Sequence, residues 1–152
     1  MAGWTNRGKY LIESTYFRAA AAPANFYLAL VTVAVAPGPD TNILSDLTEI
    51  VAGNGYDAGG KSVARNATDF DVLTEDDSAD RAFIQIKDES WTAAGGTLPA
   101  SGAGARYAVL LDDNATPANR QVLAYWDLGS AIILAATQML TLQDCELRLN
   151  ES

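Results

Sequence analysis

The sequence predicts a mainly all-β protein, an antiparallel β-sandwich or jelly-roll-like domain with one α-helix near its N-terminus. Three observations predict it. From Ala82 onward, apolar residues recur with period two, the pattern of strands that bury one face. Glycine and proline, 12 and 5 in number, cluster between the apolar runs, as turns joining many short elements require. The main helix signal lies in the first two dozen residues, so residues 1–24 are expected as a helical arm and 25–152 as a single β-sandwich domain.

The helix is expected to start at Thr5 or Asn6 as N-cap and to run through Ala19–Ala22 until Pro23 stops it. Leu11, Thr15 and Arg18 share one face, and Tyr10, Ser14 and Phe17 the next. Gly8 costs such a helix stability. With Trp4, Tyr10, Leu11, Tyr16 and Phe17, this short segment carries more apolar area than it can leave in water. These five residues are therefore the candidate interaction surface, docking on the chain's own domain or on a neighbouring subunit. Removing residues 1–22 is expected to abolish assembly or particle binding while leaving the β domain folded.

Phe26 to Thr32 is a continuous apolar run of strong β formers, as in a central strand covered on both faces. After the Pro37–Asp40 loop, residues 42–51 read as a short helix or irregular segment with Leu44, Leu47 and Val51 on one side. Gly53 to Gly60 reads as a compound turn whose glycines supply positive φ. Three alternating segments follow, in which Ala82, Ile84 and Ile86, then Tyr107, Val109 and Leu111, then Val122, Ala124, Trp126 and Leu128 each share a phase. Leu140 and Leu142 lie in one phase and Cys145, Leu147 and Leu149 in the other. Either a bulge sits near Gln143-Asp144 or the strand changes covering layers there. About eight strands are expected in all, with no internal repeat.

Composition narrows the function. The 152 residues are enough for one domain with a sizeable core, and 49% are apolar. The net charge of −9 opposes wrapping of nucleic acid or adhesion to an anionic membrane, and makes a protein surface the natural partner. No apolar stretch is long enough to span a bilayer, so the protein is expected to work without secretion. Histidine is absent, which removes the Ser–His and Cys–His nucleophile pairs. Cys145, the single thiol, is flanked by Asp144 and Glu146 and is expected to be buried and inert.

Residues 69–80 are the most acidic segment, with six of twelve positions Asp or Glu. An oxygen-rich loop of this kind is a conceivable calcium site, but its spacing misses the EF-hand pattern, and a solvated acidic loop is expected. Asp112-Asp113-Asn114 reads as a hairpin turn. Trp4, Trp91 and Trp126 offer rings for a glycan, although Trp126 is in phase with the core. Neither a catalytic residue, a cofactor site nor a metal site is assigned.

Several segments taken in order carry a resemblance. Thr5-Asn6-Arg7-Gly8-Lys9 opens the helix, and Asn25-Phe26-Tyr27-Leu28-Ala29-Leu30-Val31-Thr32 follows it. Leu47-Thr48-Glu49-Ile50 and Gly53-Asn54-Gly55-Tyr56 come next, then Trp91-Thr92-Ala93 and Ala105 to Leu110. The chain closes on Leu123 to Leu128 and Leu140-Thr141-Leu142. Over nearly its whole length this order resembles the small virion structural proteins of tailed phages, of the head decoration or tail fibre type. In that family the Gly-Tyr turn often continues Ala-Arg, whereas here Tyr56 is followed by Asp57-Ala58-Gly59-Gly60. The resemblance implies a structural, non-enzymatic role and transfers no catalytic residues.

The leading expectation is a capsid decoration (cement) protein on the virion surface. It would be assembled in the host cytoplasm, bind the major capsid protein and act as a homo-oligomer, a trimer being favoured. The alternative is a tail-fibre or receptor-binding tip that contacts the host surface. An enzyme acting on surface polysaccharide is the third class, and it has no recognisable site.

Overall fold

A computed structural model describes residues 2–150. The elements run β1 (Ala2–Trp4), α1 (Asn6–Arg18), β2 (Asn25–Val31), β3 (Lys61–Ala64), β4 (Val72–Asp76), β5 (Arg81–Ile86), β6 (Glu89–Thr92), β7 (Ala105–Leu111), β8 (Val122–Ile132), β9 (Met139–Leu142) and β10 (Cys145–Asn150). All strand pairs are antiparallel. They form a five-stranded sheet in the order β1-β8-β7-β2-β3, a three-stranded sheet β10-β5-β4 and a pair β6-β9.

The apolar run in β2 is continuous because both faces of the large sheet are covered. Leu28, Ala29, Leu30 and Val31 have no exposed surface. On one face Leu28, Leu30, Leu110 and Trp126 pack against Ile86, Trp91, Leu142 and Leu147 from the two smaller sheets, which makes the sandwich. On the other, Ala29, Val31, Val109, Leu111 and Val122 are covered by Leu44 and Leu47. Leu44 opens a short 3-10 turn, Leu44–Asp46, and Leu47 directly follows it; the turn is tied down where Asp46 accepts the amides of Asn42 and Ile43. Val51, expected beside Leu44, is 48% exposed, and Ile50 turns into the first core instead.

Two irregularities redirect side chains. The β7–β8 register pairs Leu110 with Ala124 but Leu111 with Val122, so Leu123 is an extra residue on β8. Val122 therefore faces the opposite layer from Trp126, although the alternation put them together. Near the C-terminus the chain changes sheets: β9 pairs with β6, β10 with β5, and Asp144 between them has φ 51°. That puts Leu142, Cys145 and Leu147 all in the core despite their opposed phases.

The acidic segment is not a loop. Its residues 72–76 form β4, paired in register with β5 from Val72↔Gln85 to Asp76↔Arg81. Asp112 and Asp113 likewise do not make a tight hairpin turn. They begin a longer connection in which Asp112 accepts the amides of Asn114 and Gln121, while Asp113 accepts the amide of Ala24.

The N-terminal segment is more than a helical arm, because it begins with a strand of the main sheet, β1, paired Ala2↔Trp126 to Trp4↔Ala124. Thr5 is the N-cap: its hydroxyl accepts the Gly8 amide at 2.8 Å and donates to the Val122 carbonyl at 2.5 Å. Gly8 lies against the bulge at Leu123, where a Cβ would overlap that residue's carbonyl. The helix ends at Arg18, with Ala19 left-handed at φ 52° and its amide bonded to a helix carbonyl, four residues earlier than Pro23 predicts. Trp4 and Trp126 lie on one face of the large sheet, and their indoles donate to the carbonyls of Arg148 (2.9 Å) and Glu146 (3.2 Å). The outer edge of β10 is thereby closed. Removing residues 1–22 would strip β1, the bulge contact and one of these indoles, so the truncation is expected to unfold the β domain as well.

Candidate functional site

The three-stranded sheet reaches beyond the large sheet it covers, and its inner face is left partly open. Leu73, Ile84 and Leu147 stand opposite one another in register, and Glu75, Ala82 and Leu149 form the next row outward on the same face. In the first row Leu147 and Ile84 meet the core, while Leu73 at the β4 end is 77% exposed; in the next row even Leu149, at the β10 end, is 49% exposed. Phe26 and Phe70 pack edge to face at 5.4 Å on one wall, with Trp4 and Ile12 of α1 among the other lining residues. The result is an open apolar groove of about 510 Å³ between α1 and the β4–β5 hairpin.

Charge is laid out asymmetrically around it. Glu75 faces the groove side of β4, and the hairpin continues into Asp77 and Asp80, both exposed. Asp76 is held back by Arg81 at 3.0 Å and by the Ser78 hydroxyl at 2.7 Å, which keep its carboxyl below the usual range; the Ser78 bond acts most strongly. No salt bridge reaches Glu75, Asp77 or Asp80 among the described residues. Acids along β4 also guard an open edge strand against pairing with its own copy.

The structure separates the five candidate interaction residues. Trp4 and Leu11 are half-buried against the chain's own core. Tyr10 is exposed beneath the Arg7 guanidinium, 5.1 Å from its ring. Tyr16 and Phe17, at 81% and 77% exposure, pack edge to face at 5.0 Å and project from the last turn of α1. Tyr16 is one helical turn beyond Ile12, a groove residue, so this aromatic pair stands near the groove's rim without filling it. Sequence patterning missed Phe26, Phe70, Leu73 and Leu149 as surface features. The one available signal was Val72-Leu73 inside an otherwise acidic run.

Titratable side chains elsewhere are engaged in structure. Asp69 accepts the Lys87 ammonium at 2.5 Å and the Ala64 amide at 2.7 Å, which hold its carboxyl below the ordinary range. Buried Glu89 is paired with Lys61 at 2.6 Å and with Lys87 at 3.6 Å. The Tyr56 hydroxyl, fully buried, donates to Glu49 at 2.6 Å and accepts the Leu30 amide at 3.0 Å; burial first, then the Glu49 charge, raise its pKa well above normal. Arg120 lies 3.3 Å over the Tyr27 ring and donates to the carbonyls of Gly59 and Asn114, clasping the glycine turn to the 112–121 connection. Burial, aided by Asp88 and Asp144, pushes the Cys145 thiol up to about 11. Among the described residues, no three His, Cys, Asp or Glu side chains gather as a metal site would require.

No family model matches the chain, and no curated protein matches its sequence.

Proposed function

We propose that the protein works by binding other proteins, as a capsid decoration (cement) protein of a tailed phage that docks on the outer shell and reinforces contacts between capsomers. The observation carrying this reading is the open apolar groove beside the exposed Tyr16–Phe17 pair. Apolar surface of this kind is costly in water and marks contact sites. The groove lining includes one ionisable side chain, Arg65, and so offers no pair of groups for acid–base chemistry. The order of segments that resembles small phage virion proteins supports reading this contact-making protein as a virion component. On a pressurised shell, each added interface resists separation by mass action.

The test is occupancy on expanded, undecorated capsids across a salt series. Saturable binding that survives moderate salt is expected, because the contact is apolar and salt screens the repulsion between acidic copies within about 8–10 Å. A steep loss with salt, reproduced by Asp77→Asn with Asp80→Asn, would show docking by charge and refute the apolar contact. Absence from capsids together with binding to host cells would move the assignment to a tail-fibre or receptor-binding tip.

A further inference from the structure

We propose that the groove's occupant is a second copy of this chain: each copy seats its Tyr16–Phe17 pair in the other's groove, in a reciprocal two-fold exchange. The proposal deepens the reading of a contact-making protein and rests on it, but not on which particle the protein joins; a pair that closes these grooves would meet a shell through other exposed apolar residues, such as Val33, Val35, Ile133 and Met139. Three observations carry it.

The two surfaces are complementary in chemistry. Tyr16 and Phe17 form an exposed aromatic knob, and the groove is an apolar slot walled by Phe26, Phe70, Leu73 and Leu149. They are also complementary in charge. In a chain of net charge −9, helix α1 carries Arg7, Lys9 and Arg18 against Glu13 alone. Arg18, next to the knob, is exposed, and no salt bridge reaches it among the described residues. Just past the groove, the hairpin carries Glu75, Asp77 and Asp80. Docking would bring the most basic element of one copy to the most acidic element of the other, the one arrangement of two such acidic chains that attraction favours.

Area decides the symmetry. A buried aromatic side chain removes about 150–250 Å² from water, so one knob accounts for roughly 300–500 Å². A stable interface needs about 800 Å² per partner. A single knob in a single groove falls short. A reciprocal exchange, in which each copy gives its knob and its groove at one interface, doubles the contact and brings it to the size of a weak, transient pair. Ile12 places the knob one helical turn from its own groove, so both exchanges fit around one axis. Reciprocity therefore favours a pair over the trimer expected from the sequence.

The experiment is sedimentation equilibrium on the full chain and two variants: Tyr16→Ser with Phe17→Ser, which removes the knob, and Leu73→Asp, which charges the groove. All three positions are more than three-quarters exposed, so the fold should survive, with circular dichroism as the check. The native chain is expected to form pairs at roughly 100 µM and each variant to weaken pairing by at least about 100-fold. Mixing the two variants restores one of the two contacts, since the intact knob of one meets the intact groove of the other, and should recover at least about tenfold. A monomeric native chain, unaltered pairing in the knob variant, or no recovery on mixing would each overturn the proposal. A native monomer that still saturates capsids would overturn this inference alone, whereas a pair that binds no capsid would overturn only the capsid assignment.

Discussion

Replacing Gly8 by alanine should destabilise the protein, although helix propensity alone predicts the reverse. In an exposed helix interior the change would gain about 1 kcal/mol. Here the new Cβ would overlap the Leu123 carbonyl oxygen and lie 2.8 Å from that residue's carbonyl carbon and Cα, where real Cβ contacts stay above 3.0 Å. Restoring an ordinary carbon–carbon separation requires α1 to withdraw by on the order of 1 Å. The retreat acts on two bonds that fix the helix start: the Thr5 amide to the Leu123 carbonyl at 3.0 Å, and the Thr5 hydroxyl to the Val122 carbonyl. Losing such bonds costs about 0.5–1.5 kcal/mol each, and overpacking about 1–3 kcal/mol. Set against the propensity gain, the net loss should be about 1–5 kcal/mol. For a chain of this size that lowers Tm by roughly 2–20 °C. Urea unfolding followed by tryptophan fluorescence would measure it. Gly38→Ala is the control, since nothing lies within 4 Å of a Cβ there, and it should change stability by less than about 0.5 kcal/mol. Gly8→Ala at native stability or above would refute the reasoning.

Tyr56→Phe removes the only side-chain hydroxyl that accepts the Leu30 amide and should cost about 1–3 kcal/mol in urea unfolding; a neutral result would mean that water replaces it. Cys145, its thiol pushed up to about 11, should resist a thiol reagent at pH 8 in the folded protein and react fully in denaturant, and rapid labelling of the native chain would contradict the burial. Asp69 is held below the ordinary carboxylate value of about 3.9, so its contribution is complete above that pH and is lost as pH falls through the lower folded-state value. Asp69→Asn should therefore reduce stability at neutral pH and flatten the decline below about pH 4, and an unchanged acid limb would show that the Lys87 pair does not couple to folding.

Much of the fold was legible in the chain because period-two patterning and turn chemistry are local. The run Phe26–Thr32, the positive-φ glycines of residues 53–60 and the Thr5 cap are each set by neighbours a few residues away. The single buried thiol and the absence of histidine likewise follow from composition. Four matters were decided only by tertiary structure. The extra residue at Leu123 sends Val122 to the layer opposite Trp126, and the left-handed Asp144 moves the chain from one sheet to another. Both reverse the facing of every residue beyond them, and each depends on a register that only the partner strand sets. Gly8 reads in the sequence as a weakness and in the fold as the one residue small enough to meet the bulge. The groove is the clearest case. Leu73 and Leu149 are 76 positions apart in sequence, and their exposure depends on how far the three-stranded sheet overhangs the large one, a quantity carried by packing distances that no local pattern encodes.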